Sequence, residues 1–117
     1  MNTPASRPSD TRLLALAAMH ARPGAPRLGA DELAGHAATL DGWVVQPDRL
    51  VKVFEFPDFA ATMAFVNAIA WVAARADHHP DLRVGYDRCE VAWSTHSAGG
   101  VTLNDVICAA KVDRLLD

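Results

Sequence analysis

The sequence is poor in several residue types that carry common chemistries. It has two cysteines, Cys89 and Cys108, in 117 residues. Neither lies in a CxxC or another metal-ligand spacing, so a dithiol redox centre or zinc cluster has nothing to start from. Both are expected to be reduced, buried or half-buried apolar residues. Positive charge is also scarce, with 11 Lys and Arg against 14 Asp and Glu and a net charge of −3. The basic residues are scattered, which leaves no electrostatic footprint for nucleic acid. No stretch reaches the ~20 apolar residues of a membrane span. Leu13 to Met19 is the one candidate for a signal h-region, but it is short, follows Asp10, and leads into a poor cleavage context at His20-Ala21-Arg22. The expectation is a cytoplasmic protein with no nucleic-acid or membrane partner. There is no serine elbow for acyl transfer. Gly99-Gly100 precedes a helix but lacks a P-loop lysine, and reads as a turn. No solenoid-type repeat is present.

What the sequence does have is half its residues apolar, enough for the core of one ordinary domain. Residues 1–10 are rich in Ser, Pro, Thr and Asn and are expected to be poorly ordered. Thr11 to Ala21 suits a short helix capped by Ser9 or Asp10. Pro23-Gly24-Ala25-Pro26 then breaks the chain. Residues 1–27 therefore read as an N-terminal extension and 28–117 as the compact domain.

Within 28–117 the pattern predicts a helix over Asp31–Leu40, stopped at Gly42. A short strand Trp43–Gln46, a turn at Pro47-Asp48 and a strand Leu50–Phe56 follow. Lys52 shares a strand face with Leu50, Phe54 and Phe56, and is expected to snorkel outward at a sheet edge. Pro57-Asp58 opens a long helix to about Ala76. Its main stripe is predicted as Phe59, Met63, Val66, Ala70 and Ala73, widened by Phe65, Ile69 and Val72. Pro80 disfavours helical dihedrals at His79, so the helix stops before it. Leu82, Val84 and Tyr86 alternate as a strand, and Asp87-Arg88 is a turn. Cys89–Thr95 is the next strand, with Val91 and Trp93 on one face and Ala92, Ser94 and His96 on the other. A last helix runs from Thr102 to Leu116, with Leu103, Val106, Ile107 and Ala110 as its apolar stripe. The order helix-strand-strand-helix-strand-strand-helix predicts an α+β domain. Its four-stranded, mostly antiparallel sheet carries three helices on one face.

Three of the five histidines converge in this topology. His78 and His79 end the long helix, and His96 ends the fourth strand. The third and fourth strands form a hairpin, so the start of one lies beside the end of the other. Imidazoles titrate near neutrality, and a set of them holds a proton donor and an acceptor together. Dehydration needs that pairing. A structural alternative is a histidine pair capping the helix C-terminus. Zinc on three histidines is the chemical alternative, but adjacent residues diverge and no fourth ligand is well spaced. His20 and His36 carry no partner motif and read as structural or solvent-facing. Thr102 to Asp105 resembles a capping box with Asp in place of Glu. Asp105 is thus open to either a structural or a supporting chemical role.

Ala76-Asp77-His78-His79-Pro80-Asp81, Tyr86, Ser94-Thr95-His96-Ser97-Ala98-Gly99-Gly100-Val101-Thr102 and Asp105 together resemble the pterin-4a-carbinolamine dehydratase family. Gly42-Trp43, Phe54-x-Phe56-x-Asp58-Phe59 and Phe65-Val66-Asn67 add to the resemblance, which runs from about Leu28 to the C-terminus. It implies a lyase that removes water from a 4a-hydroxytetrahydropterin to give a quinonoid dihydropterin, in tetrahydropterin recycling. It implies no metal and no organic cofactor. The residues matching His78, His79 and His96 would supply acid–base chemistry and hold the pterin. Those matching Asp77, Ser94, Thr95 and Ser97 would line the pocket, partly through their backbone. A homodimer or homotetramer and a link to an aromatic amino acid hydroxylase are implied as well. The family also includes binding proteins, such as transcriptional coactivators and assembly factors. Two positions depart from the pattern of many members: Ala74 stands where they carry an acidic residue, and Leu82 where they carry a tryptophan or another large residue.

Overall fold

The computed structural model of the chain describes residues 8–117. The expectation for residues 1–7 lies outside the described residues. Helix α1 spans Pro8–Ala17. It therefore begins before Ser9 and Asp10, and neither is its cap. Leu16 on this helix is buried and joins the hydrophobic core, because α1 lies against the final helix.

The remaining elements are α2 (Ala30–Ala37), β1 (Val44–Val45), β2 (Leu50–Glu55), α3 (Phe59–Ala76), β3 (Asp81–Val84), β4 (Arg88–Trp93) and α4 (Leu103–Arg114). The sheet has the order β1-β2-β4-β3 and every pairing is antiparallel. Two hairpins joined by α3 give this order. β2 and β4 become the central pair, and each local hairpin partner lies outside. Most predicted strands shorten by one or two residues at their ends, where the ladder runs out of partners.

Register decides which faces are buried. Leu50 lies opposite Trp93, Lys52 opposite Val91, and Phe54 opposite Cys89. All six belong to the face that the helices cover. Val53 and Glu55 fall on the other face and are exposed, as strand alternation requires. Arg83 faces Glu90 across the β3–β4 pair.

Lys52 is not at an edge. It sits on central strand β2, where its Nζ donates to Asp113 Oδ1 at 3.0 Å and to the Asp41 carbonyl at 2.8 Å. Asp113, on α4, also accepts from Trp43 Nε1 at 3.0 and 3.1 Å. The lysine turns inward because a carboxylate from the covering helix meets it there.

Asp58 is the N-cap of α3, its Oδ1 accepting the Ala61 N–H at 2.8 Å. Its buried residues are Thr62, Phe65, Ile69 and Val72. The predicted main stripe is thus displaced, since Phe59 is 49% exposed and Ala70 is exposed. An almost wholly apolar helix gives periodicity little contrast, and the sheet selects the face. By length and composition α3 matches a membrane span, with mean hydropathy 1.4 over 18 residues. Here its Phe65–Ile69–Val72 side is buried, and Phe65 and Ile69 join the domain core.

Candidate active site at the end of the long helix

Helix α3 ends in a left-handed turn. Asp77 has φ 49° and ψ 43°, and is the one non-glycine residue with positive φ among the described residues. That conformation costs an L-residue about 1 kcal/mol, less for Asp, whose short polar side chain adapts to it. The turn returns the His78 N–H to the Ala73 carbonyl at 3.2 Å. Pro80 then keeps the chain extended into β3. The imidazole of His78 is thereby carried under the end of the sheet.

There it meets two other elements. His78 Nε2 lies 2.5 Å from Asp105 Oδ1. Its ring stacks on Trp93, the last residue of β4, with centroids 5.3 Å apart and planes inclined by 30°. Asp105 is fully buried in the first turn of α4. Its second oxygen, Oδ2, accepts from Thr95 Oγ1 at 2.7 Å and from the Thr102 backbone N–H at 2.8 Å. Thr95 has one hydroxyl proton, which goes to Asp105. The 2.9 Å contact between Thr95 and Thr102 is then a bond donated by Thr102. A buried carboxylate is tolerable when such donors replace its water.

This network fixes the histidine. A carboxylate only accepts, so Nε2 of His78 is its N–H, and the neutral ring keeps its lone pair on Nδ1. A buried carboxylate that fixes a histidine's tautomer and orientation is a recurring arrangement for proton transfer. His78 retains 17% side-chain exposure, so the ring is held from behind and reachable from the front. In front of it is a depression of about 440 Å³, lined by Ile69, Ala73, Ala74, His78, His79 and Leu82 among others. Asp77 is also on its wall. Ala74 and Leu82, the two departures from the family pattern, lie directly in this lining.

The other sequence-predicted residues are distributed unevenly. His79 is exposed and shares the depression with His78. His96 and Ser97 are exposed on a 3-10 turn, His96–Ala98, just past Thr95. They are not part of the depression's lining. Ser94 is turned away, its Oγ donating to the Asp48 carbonyl at 2.6 Å. Thr95 acts through its hydroxyl as well as its backbone, which bonds in both directions to Gly100. Asp105 accepts the N-cap N–H of α4 and also bonds His78.

Two members of the site escape a reading centred on histidines. Trp93 shares a strand face with Thr95 by simple alternation, which was the available signal. Thr102 is signalled by its place three residues before Asp105. Trp93 Nε1 is buried without a hydrogen-bond partner. Both cysteines are free and buried. Burial, then the Asp105 charge, pushes the Cys108 thiol up to about 12 against the pull of Lys111. Burial and Glu90 raise Cys89. Among the described residues, no group of three or more His, Cys, Asp or Glu side chains is placed to hold a metal ion.

Comparison with known proteins gives this geometry a context. A protein of Nitrosospira multiformis, provisionally named a pterin-4-alpha-carbinolamine dehydratase, is 46% identical over 109 residues, covering 91% of this chain and 96% of its own. That coverage takes in part of α1. A Nitrosomonas europaea protein of the same name is 50% identical over 93 residues, 79% of this chain and 82% of its own. The crystal structure of a transcriptional coactivator/pterin dehydratase from Brucella melitensis matches with TM-score 0.75 and 32% identity, over 78% of this chain and 99% of that one. A pterin dehydratase-like RuBisCO assembly factor of the alpha-carboxysome matches with TM-score 0.52 and 27% identity, over 62% and 84%. Residues 26–115 match the Pterin 4 alpha carbinolamine dehydratase family, and with the site and fold described above the chain belongs to that family.

Proposed function

We propose that this protein dehydrates a 4a-hydroxytetrahydropterin to the quinonoid dihydropterin. The observation that carries the reading is the Asp105–His78 pair, a buried carboxylate fixing an imidazole that opens on a cavity at the α3–β3 joint. The elimination removes a proton from a ring nitrogen and a hydroxyl from the 4a carbon. The N–H electron pair becomes the new C=N bond, the C–O bond breaks, and the hydroxyl leaves as water after gaining a proton. One site must therefore accept a proton and supply one. His78 and His79 from the joint and His96 from the turn after β4 serve as that set. Coupled imidazoles titrate together, so acid and base are assigned to the set rather than to single residues. Asp77, Thr95 and Ser97, with the backbone of Ser94, frame the pterin. The reading includes a homodimer or homotetramer, work in the cytoplasm, and supply of substrate by an aromatic amino acid hydroxylase.

The decisive assay follows loss of 4a-hydroxytetrahydropterin with purified protein. The expected result is a rate well above the spontaneous reaction; a rate equal to it overturns the proposal.

Ala74 and Leu82 in the lining, together with the likeness to an assembly factor, favour one competing reading, a binding protein without turnover. A folded His96→Ala variant separates the two. Under the binding reading it still supports the cellular role, and under the dehydratase reading it does not.

A further inference from the structure

The last two turns of α3 border a second hollow on their opposite flank. Ile69, Ala73 and Ala74 line the depression beside His78, whereas Trp71, Val72, Arg75 and Ala76 line a separate cavity of about 330 Å³. Its other walls are the end of α4, with Lys111 and Arg114, and the end of α1 with the segment that follows it, with Ala17, His20 and Ala21.

The third wall is fastened rather than draped. Lys111 Nζ donates to the Ala17 carbonyl at 2.7 Å. The Arg22 N–H donates to Asn104 Oδ1 at 2.9 Å, and Asn104 Nδ2 returns a bond to the Arg22 carbonyl at 2.7 Å. These bonds pin residues 17–22 along α4. The family match begins at residue 26, so this wall is built by chain that precedes the matched domain.

The lining has a consistent chemistry. Ala17, Ala21, Val72 and Ala76 supply apolar surface. Trp71 is 63% exposed, and the Arg75 guanidinium stands 5.1 Å from its ring centroid. Every titratable residue in the lining is basic: His20, Arg75, Lys111 and Arg114. Asp117, outside the lining, lies 3.2 Å from Arg114. In a chain of net charge −3, this local cationic concentration runs against composition. Arg75, Lys111 and Arg114 do complement helix dipoles in the last turns of α3 and α4. That accounts for their charge, but not for an exposed indole or a pinned third wall.

We infer that this cavity binds a small planar aromatic carboxylate. The ring lies against Trp71, and the carboxylate is held by the cations around it. Indole and guanidinium surfaces favour flat rings, and guanidinium matches a carboxylate through paired hydrogen bonds. The volume is at the small end for ligand pockets, which run from about 300 Å³ upward, and suits one or two fused rings.

Calorimetric titration of the full chain with 2-naphthoate tests this. Single-site binding is expected with Kd on the order of 100 μM, and with 2-naphthamide and inorganic phosphate each about tenfold weaker or more. Arg75→Gln is expected to weaken naphthoate about tenfold, and Trp71→Ala to weaken it similarly. Both residues are exposed, so folding is preserved and checked by circular dichroism. His78→Ala is expected to leave naphthoate binding intact. Equal affinity for the amide reduces the cavity to an apolar surface, and equal affinity for phosphate reduces it to a cationic patch. No binding, binding unchanged in Arg75→Gln, or binding lost in His78→Ala also overturns the inference.

Discussion

Asp105 and Asp113 are two carboxylates on one helix, and they do different work. Asp105, in the first turn of α4, is fully buried and takes bonds from an imidazole, a hydroxyl and a backbone N–H. Asp113, at the other end, is nearly buried and takes bonds from Lys52 and the indole of Trp43. Burial pushes the Asp113 carboxyl above its ordinary range, against the pull of Lys52 and Trp43. The partner makes the difference. His78 is an imidazole facing an open depression, whereas the Lys52 side chain seals β2 to α4. One carboxylate therefore orients an imidazole that opens on a depression, and the other closes a core.

The sharpest test of this contrast is activity. His78→Ala is expected to lower dehydratase turnover by roughly 10²–10⁴-fold in a steady-state assay while the fold persists. Asp105→Asn is expected next, at about 100-fold, because an amide no longer fixes the same tautomer. It should also cost about 1–3 kcal/mol in urea unfolding, by leaving buried donors mispaired. If Asp105→Asn lowers stability but leaves turnover intact, the carboxylate is a cap only.

The other end of α4 should respond in stability alone. Lys52→Met leaves Asp113 without its cation and is expected to cost about 2–4 kcal/mol at neutral pH, with turnover per folded molecule unchanged. Asp113→Asn is expected to behave oppositely. The Asp113 carboxyl is raised in the folded state, so its contribution favours folding below the unfolded carboxylate range. That contribution is lost as pH climbs through the folded value. The stability of the parent relative to Asp113→Asn should therefore fall as pH rises above about 4 in paired unfolding titrations. A difference growing with pH would show that Lys52 dominates over burial.

The smallest effect is chemical silence. Cys108, pushed up to about 12 and buried, is expected to resist thiol reagents at pH 8 until the chain unfolds. Rapid labelling in the native state would mean that the region behind Asp105 opens, which weakens the picture of a rigid anchor.

The sequence made the element order legible because hydrophobic periodicity and the Gly, Pro and Asp boundaries mark strands and helices locally. Pro57-Asp58 and Pro80 located the ends of α3 well. The apolar face of α3 was not legible, because a helix apolar on nearly all sides has no single stripe. Lys52 was misplaced for a related reason. Alternation assigns it to a face, but only the arrival of Asp113 from a helix 61 residues away makes an inward ammonium favourable. In the site, the hairpin topology set His96 at the end of β4 near the His78–His79 joint, but it gave no account of the stacked Trp93.

The sequence by itself determined the two hairpins around a long helix, the histidine pair stopped by proline, and the family to which these residues belong. Those features are local, fixed by backbone preferences and short spacings. Only the tertiary structure decided that His78 is the anchored member of the set and that His79 and His96 are exposed. It alone decided that Asp105 is an anchor while Asp113 is a clamp. The reason is physical. A carboxylate's role depends on which donor replaces its water, and that donor comes from another part of the chain.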